Sequence, residues 1–206
     1  GLRSVLGEHA RQAGSLVAPD RLRFDFTHTQ AMTRTELERV QAMVNQAVLS
    51  DYELDILERP RDEAIREGAM ALFGETYGET VRTITIGETQ RVSYELCGGT
   101  HVDRTGVIGP FVILSEGSVA AGVRRIEAVT GRAALALIQD ERAMVTRLAE
   151  PLGAAADSLD GRVETLLEER EQLTRQLAQL HGRQAADQFA ALQPGEVKGV
   201  TLLTGI

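Results

Sequence analysis

Only one cysteine, Cys97, occurs in the 206 residues. No internal disulfide can form, and the default compartment for such a chain is the reducing cytosol, so a cytoplasmic protein is expected. Lysine is equally scarce. Of 22 basic residues, Lys198 is the single lysine and the rest are arginine. Arginine makes planar, bidentate contacts to phosphates and carboxylates, although genome-wide composition bias gives the same signature. No apolar run approaches the roughly 20 residues that span a bilayer. Residues 1–4, Gly-Leu-Arg-Ser, hold no signal-peptide core, and no membrane partner is expected. Excess positive charge is missing as well. A net charge of −8 argues against a generic nucleic-acid coat and against DNA as a partner. The charge is uneven, however. Residues 82–132 carry six arginines (82, 91, 104, 124, 125 and 132) against five acids, a net of +1, so the remainder carries −9. A local, selective contact with an anionic partner stays open. What the chain does have is an ordinary globular composition, 43% hydrophobic and 25% charged, and length for one or two domains with a real core.

Leu2, Val5 and Leu6 share a helical face, which predicts a short helix over residues 2–13 with Gly14 at its stop. No capping residue precedes it, so the chain reads as cut inside a longer helix. Pro19-Asp20 marks a turn, and the strict alternation over residues 22–26 predicts a half-buried strand. Thr35 with Glu38 reads as a capping box. It opens a helix to about Ser50, with Leu37, Val40, Val44, Ala47 and Val48 inward. Residues 52–58 alternate as a strand, and Pro60 opens a short helix ending near Gly68. Residues 81–86 and 91–96 read as strands around a hairpin at 87–90, with two more at 111–115 and 123–129. This is an α+β fold with a largely antiparallel sheet.

Beyond Gly131 the pattern turns helical. Residues 132–149 predict one helix, broken at Pro151-Leu152-Gly153. Residues 158–192 predict another, whose Leu159, Val163, Leu166, Leu173, Leu177 and Leu180 keep a 4-3 spacing with Arg170 as the polar intrusion. Such a stripe is a coiled coil of about three to four heptads, either an intramolecular connector or the seam of a homodimer. Pro194-Gly195 ends it, and residues 197–203 read as one strand of a further unit. The expected division is therefore 1–131 for a partial α+β domain, 132–192 for helical linker and coiled coil, and 193–206 for the start of a globular domain. Both ends look like cuts.

The chemistry-bearing stretch is Cys97-Gly98-Gly99-Thr100-His101. A thiolate and an imidazole four positions apart can both reach one Zn²⁺. Two intervening glycines permit unusual backbone geometry and leave room for a ligand. Alone, the signal is weak: a lone cysteine at a strand end is usually a small buried hydrophobe, and a Cys-His catalytic pair is the other reactive reading. A zinc site needs three or four protein ligands, and the other histidines are only His9, His28 and His181. His181 falls in the coiled coil, His28 follows a strand as a turn or surface residue, and His9 has no histidine partner at i+4.

The sequence at this point resembles a known family. Cys-Gly-Gly-Thr-His-Val at 97–102, Thr105-Gly106, Ile108-Gly109, Phe111, Glu116 and the run 122–131, Gly-Val-Arg-Arg-Ile-Glu-Ala-Val-Thr-Gly, are similar to the editing domain of alanyl-tRNA synthetase. Gln12, Gly14-Ser15-Leu16-Val17 and Arg21-Leu22-Arg23-Phe24-Asp25-Phe26 resemble the same family upstream. The likeness covers residues 2–150, and the coiled coil resembles the linker to that family's C-terminal domain. The editing domain of threonyl-tRNA synthetase and free-standing editing proteins share the metal motif.

The resemblance implies hydrolysis of Ser or Gly wrongly esterified to tRNA(Ala), while the full-length family ligates alanine using ATP in a domain absent here. It implies a four-ligand zinc site, two ligands from C-x-x-x-H, carried over to Cys97 and His101, and two from an H-x-x-x-H helix that would sit just before Leu2. The site is then incomplete and this fragment inactive. Gln12 matches a position of the editing pocket, where its amide could orient water or bond the substrate. Arg124 and Arg125 adjoin in a strand and so face opposite sides. One is free to touch the tRNA backbone while the other pairs with Glu116 or Glu127, or both make ordinary salt bridges. A free-standing editing hydrolase and a noncatalytic tRNA-binding or dimerisation fragment are the alternatives.

Overall fold

Alternation at Leu22–Phe26 produces strand β2 (Arg21–Thr27), with Phe26 wholly buried. The computed structural model describes residues 1–71, 77–87, 91–191, 193–197 and 200–204, the last two segments by backbone alone. Two compact units emerge, Gly1–Asp140 and Glu141–Ile206.

The first unit differs from the sequence expectation at its start. Helix α1 covers only Leu2–Leu6 and stops at Gly7, whose φ is +109°. The chain then forms strand β1 (Gln12–Ala18), which pairs antiparallel with β2 across the Pro19-Asp20 turn. Gly14 is therefore a strand residue opposite Asp25, not a helix stop. The pattern hid β1 because it is an edge strand: Val17 is 80% exposed, so no clean alternation marks a buried face.

Helix α2 (Arg34–Leu49) is capped by Thr33, not Thr35. Thr33 Oγ1 accepts from the Glu36 amide at 3.3 Å, and Glu36 Oε2 accepts from the Thr33 amide at 2.7 Å. The spacing T-x-x-E occurs twice here, and hydrophobic context selects the earlier one. Met32 before the cap and Leu37 at the fourth helical position both pack into the core, a staple that the later register lacks. Glu38 pairs with Arg34 instead, at 2.7 Å.

Four antiparallel strands form the first sheet in the order β1-β2-β7-β6, where β6 is Phe111–Ala120 and β7 is Val123–Thr130. Strand β6 runs past the expected residue 115 because β7 continues to pair with it through two bulges. Helix α2 covers its edge chemically. Asn45 bridges both the amide and carbonyl of Phe111 at 2.8 Å, and the Gln41 carbonyl takes the Ile113 amide at 2.8 Å. Backbone groups an edge strand leaves unpaired are thereby satisfied. Ala10, Phe26, Met32, Val40, Phe111, Ile126 and Ala128 make the core between them.

A second, separate sheet replaces the single one expected. Strands β3 (Leu54–Pro60), β4 (Thr80–Ile86) and β5 (Ser93–Leu96) pair antiparallel in that order, with helix α3 (Arg61–Arg66) beside them. Ala64, Ala69, Val81, Tyr94 and Leu96 form its own small core. The hairpin expected at 87–90 lies largely outside the described residues.

Helix α4 (Gly131–Leu152) extends through Pro151, which sits in its last turn, and the chain turns at Gly153 with φ +60°. In the second unit, helix α5 (Leu159–Ala190) is a single run of 32 residues with no buried side chain among the described residues. Leu173, Leu177 and Leu180 are more than half exposed. The single strand expected over 197–203 is instead a hairpin of β8 (Gln193–Val197) and β9 (Val200–Thr204), the residues between lying outside the described ones. No described helix is long and apolar enough to cross a membrane.

Candidate functional site

Where β5 ends, the loop begins. Leu96 is wholly buried, and its amide donates to the Met70 carbonyl at 2.9 Å. Cys97 continues the ladder for one more rung, donating to the Arg82 carbonyl of β4 at 3.1 Å. The Cys97 side chain is then half-buried, and residues 98–101 are exposed. Neither Gly98 nor Gly99 has a positive φ. Their role is spatial: a Cβ on Gly98 would meet nothing within 4 Å, and one on Gly99 would lie 3.5 Å from Cys97 Sγ. The backbone freedom expected of them is not used.

The side chain of Arg82 spans this loop. Its guanidinium donates to the Cys97 carbonyl at 3.2 Å and to the Gly99 carbonyl in a shorter bond. The loop's far end is fixed as firmly. The Asp103 carbonyl accepts from the Leu54 amide at 3.0 Å. Arg104 pairs with Asp51 at 2.9 Å and with Glu53. Buried Thr105 donates to the Ala47 carbonyl at 2.7 Å and accepts from the Tyr52 amide at 2.9 Å. A seven-residue excursion with its thiol and imidazole thus hangs between two anchored ends.

Although exposed, His101 is held below the ordinary imidazole range, first by desolvation from the surrounding protein and then by the Arg82 charge, with Glu95 opposing. Both main causes favour the neutral imidazole, the form that ligates metal. Cys97 and His101 are donors of the right chemistry. Yet no three His, Cys, Asp or Glu side chains gather into a metal-holding group among the described residues. The two donors do not by themselves make a zinc site.

Gln12 lies half-buried in β1 and donates to Ser15 Oγ at 3.0 Å. Arg124 forms a two-pronged pair with Glu116, at 2.5 and 2.7 Å, with 14% of its side chain exposed. Arg125 pairs in the same way with Asp25, at 2.7 and 2.8 Å, and is 31% exposed. Asp25 was not among the partners expected from sequence, and Glu127 instead accepts from Ser115. The Arg125 hydrogen bonds, opposed by burial, hold the Asp25 carboxyl below the usual range. Arg125 lines a shallow polar cleft of about 220 Å³ with Ser115, Glu116, Gly117, Ser118 and Glu127.

Sequence reasoning treated His9 and His28 as isolated, but the fold brings them together. His9 Nε2 and His28 Nδ1 are 2.8 Å apart, with the rings stacked at 5.1 Å. Their separation of 19 positions gives no local signal. Arg82 was missed too, as nothing in a strand pattern tells which arginine reaches a neighbouring loop.

The segment that builds this loop matches the family described as the threonyl and alanyl tRNA synthetase second additional domain, over residues 81–127. That stretch is similar to a domain shared by these two kinds of synthetase. Across nearly the whole chain the similarity narrows to one of them. It is 48% identical over 209 residues to the alanine–tRNA ligase of Halorhodospira halophila, covering 98% of this chain and 23% of that relative. The alanine–tRNA ligases of Bordetella bronchiseptica and Thermotoga maritima are 49% and 46% identical over 205 residues, again spanning 23% of each. Nearly the whole chain is thus similar to one segment of alanine–tRNA ligases, and it spans about a quarter of the length of the curated relatives it matches.

Proposed function

We propose that this chain carries the editing module of an alanine–tRNA ligase, which hydrolyses Ser and Gly esters of tRNA(Ala). The observation that carries the reading is the Cys97–His101 loop, which opens from β5 inside the matched region. The need for such a module is physical. A pocket built for alanine cannot strongly reject glycine, which is smaller, or serine, which only adds a hydroxyl. A second site that awaits the serine hydroxyl with buried polar groups leaves them unpaired when alanine enters, and so spares the correct product.

In this reading Cys97 and His101 are two zinc donors, and the ion when bound supplies either an anchor for the amino acid or an activated water. Among the described residues no further donors gather beside them, so a partner set of donors is needed to complete the site. Gln12 orients water or substrate through its amide. Of the two arginines, Arg125, the more exposed, reaches the tRNA, while Arg124 stays with Glu116. The apolar stripe of α5 is the seam for a second copy of the chain, in a cytoplasmic enzyme. Cys97→Ala in a ligase containing this segment should abolish Ser-tRNA(Ala) hydrolysis while alanine ligation continues. Hydrolysis at the parental rate would overturn the reading.

A further inference from the structure

Arg82 makes three contacts with the loop, and its position explains all of them. It lies on β4 one residue before the Thr83–Leu96 pair that closes the β4–β5 ladder. Its carbonyl takes the Cys97 amide at 3.1 Å, which is the last rung. Its side chain then reaches past that rung and donates from one nitrogen, Nη1, to the carbonyls of Cys97 and Gly99. A guanidinium ordinarily seeks a carboxylate, and Arg82 has no ion pair among the described residues. Nη1 is instead spent on two main-chain oxygens of a loop that has few other internal bonds. Among the described residues, the amides of residues 98–101 donate to no backbone carbonyl outside a helix or strand ladder. The loop's conformation next to Cys97 therefore depends on one side chain, and charged donors to carbonyls are the stronger class of hydrogen bond.

We infer that Arg82 is a positioning residue for the Cys97–His101 loop, setting the relative placement of thiol and imidazole by gripping the carbonyls of Cys97 and Gly99. The inference rests on the editing reading only for its functional consequence, not for the grip itself. Lysine carries the charge and three donors without the planar fork, so Arg82→Lys should hold the loop partly, and Arg82→Ala not at all.

Two measurements test this independently. In the metal-free 206-residue chain, NMR order parameters for residues 98–101 should fall from near 0.85 to below about 0.6 in Arg82→Ala, with an intermediate value in Arg82→Lys. The amides of β4 and β5 serve as the control for folding, and a loop that stays ordered while those strands are intact overturns the inference. In a ligase containing this segment, Arg82→Ala should lower kcat for Ser-tRNA(Ala) hydrolysis about 10–100-fold, the usual range for residues that orient ligands, with KM within about twofold. Arg82→Lys should recover part of it. A rise in KM alone would show that Arg82 binds substrate and does not position the loop. If the parent ligase hydrolyses no Ser-tRNA(Ala), the editing reading fails, and the order parameters still decide the role of Arg82.

Discussion

Replacing Leu96 by alanine tests whether the small second core holds the functional loop. Leu96 is wholly buried and directly precedes Cys97. Two of the residues around it, Ala64 and Ala69, are alanines, with no long side chain to swing into the space a truncation leaves. The cavity should therefore persist, and the cost should lie in the upper part of the usual range for buried leucine, about 3–5 kcal/mol. Leu173→Ala is the matched control. It removes the same atoms from a side chain 59% exposed on α5 and should cost less than about 0.5 kcal/mol in a single chain. Tyrosine fluorescence reports the right unit, because Tyr52, Tyr77 and Tyr94 all fall before residue 140 and the chain has no tryptophan. With a urea slope of roughly 2 kcal/mol per molar, Leu96→Ala should lower the midpoint by about 1.5–2.5 M. The lone thiol supplies a second readout, since Cys97 should alkylate faster once its anchor loosens. A midpoint shift under about 0.5 M, or one equal to that of Leu173→Ala, would refute the packing described for the second sheet.

Thr33→Ala should cost about 1 kcal/mol by removing the α2 cap, while Thr35→Ala should be nearly neutral; thermal melts distinguish the two. Gly109→Ala should destabilise by about 1–3 kcal/mol, because its φ is +71° and a Cβ would lie 2.9 Å from Gly131 Cα. Asp25 is depressed in the folded state, so its pairing with Arg125 stabilises fully above the ordinary aspartate range and is lost as pH falls through the lowered value. Asp25→Asn should accordingly flatten the acid limb of a stability–pH profile, and an unchanged limb would count against that pairing. Leu173→Glu with Leu177→Glu should convert a dimer to a monomer in sedimentation, and a parent chain that is already monomeric removes the proposed seam.

What could be read from residues alone follows from where the signal is local. The alternation at Leu22–Phe26 and the helical run of α5 are properties of short windows, and the structure contains both the strand and the helix. Strand β1 was missed because an edge strand is defined by its partner rather than by its own faces. The cap of α2 was displaced by two residues because two identical spacings compete and only Met32, packed from outside the helix, selects one. Division into two sheets depends on long-range pairing that no window contains. At the candidate site, Cys97 and His101 stood out by spacing. Arg82, the Asp25–Arg125 pair and the His9–His28 contact did not, since each joins residues distant in sequence.

We propose that Cys97 and His101 supply two donors of a metal-dependent hydrolytic site. Hydrolysis of Ser-tRNA(Ala) by this 206-residue chain and by an alanine–tRNA ligase that contains it, compared at equal protein and zinc concentrations, tests it most directly. The ligase should clear the ester and the chain should not, because Cys97 and His101 are two donors where three or four are needed. Hydrolysis by the chain at the ligase's rate, with zinc below one ion per molecule, would rule out a zinc role for Cys97 and His101.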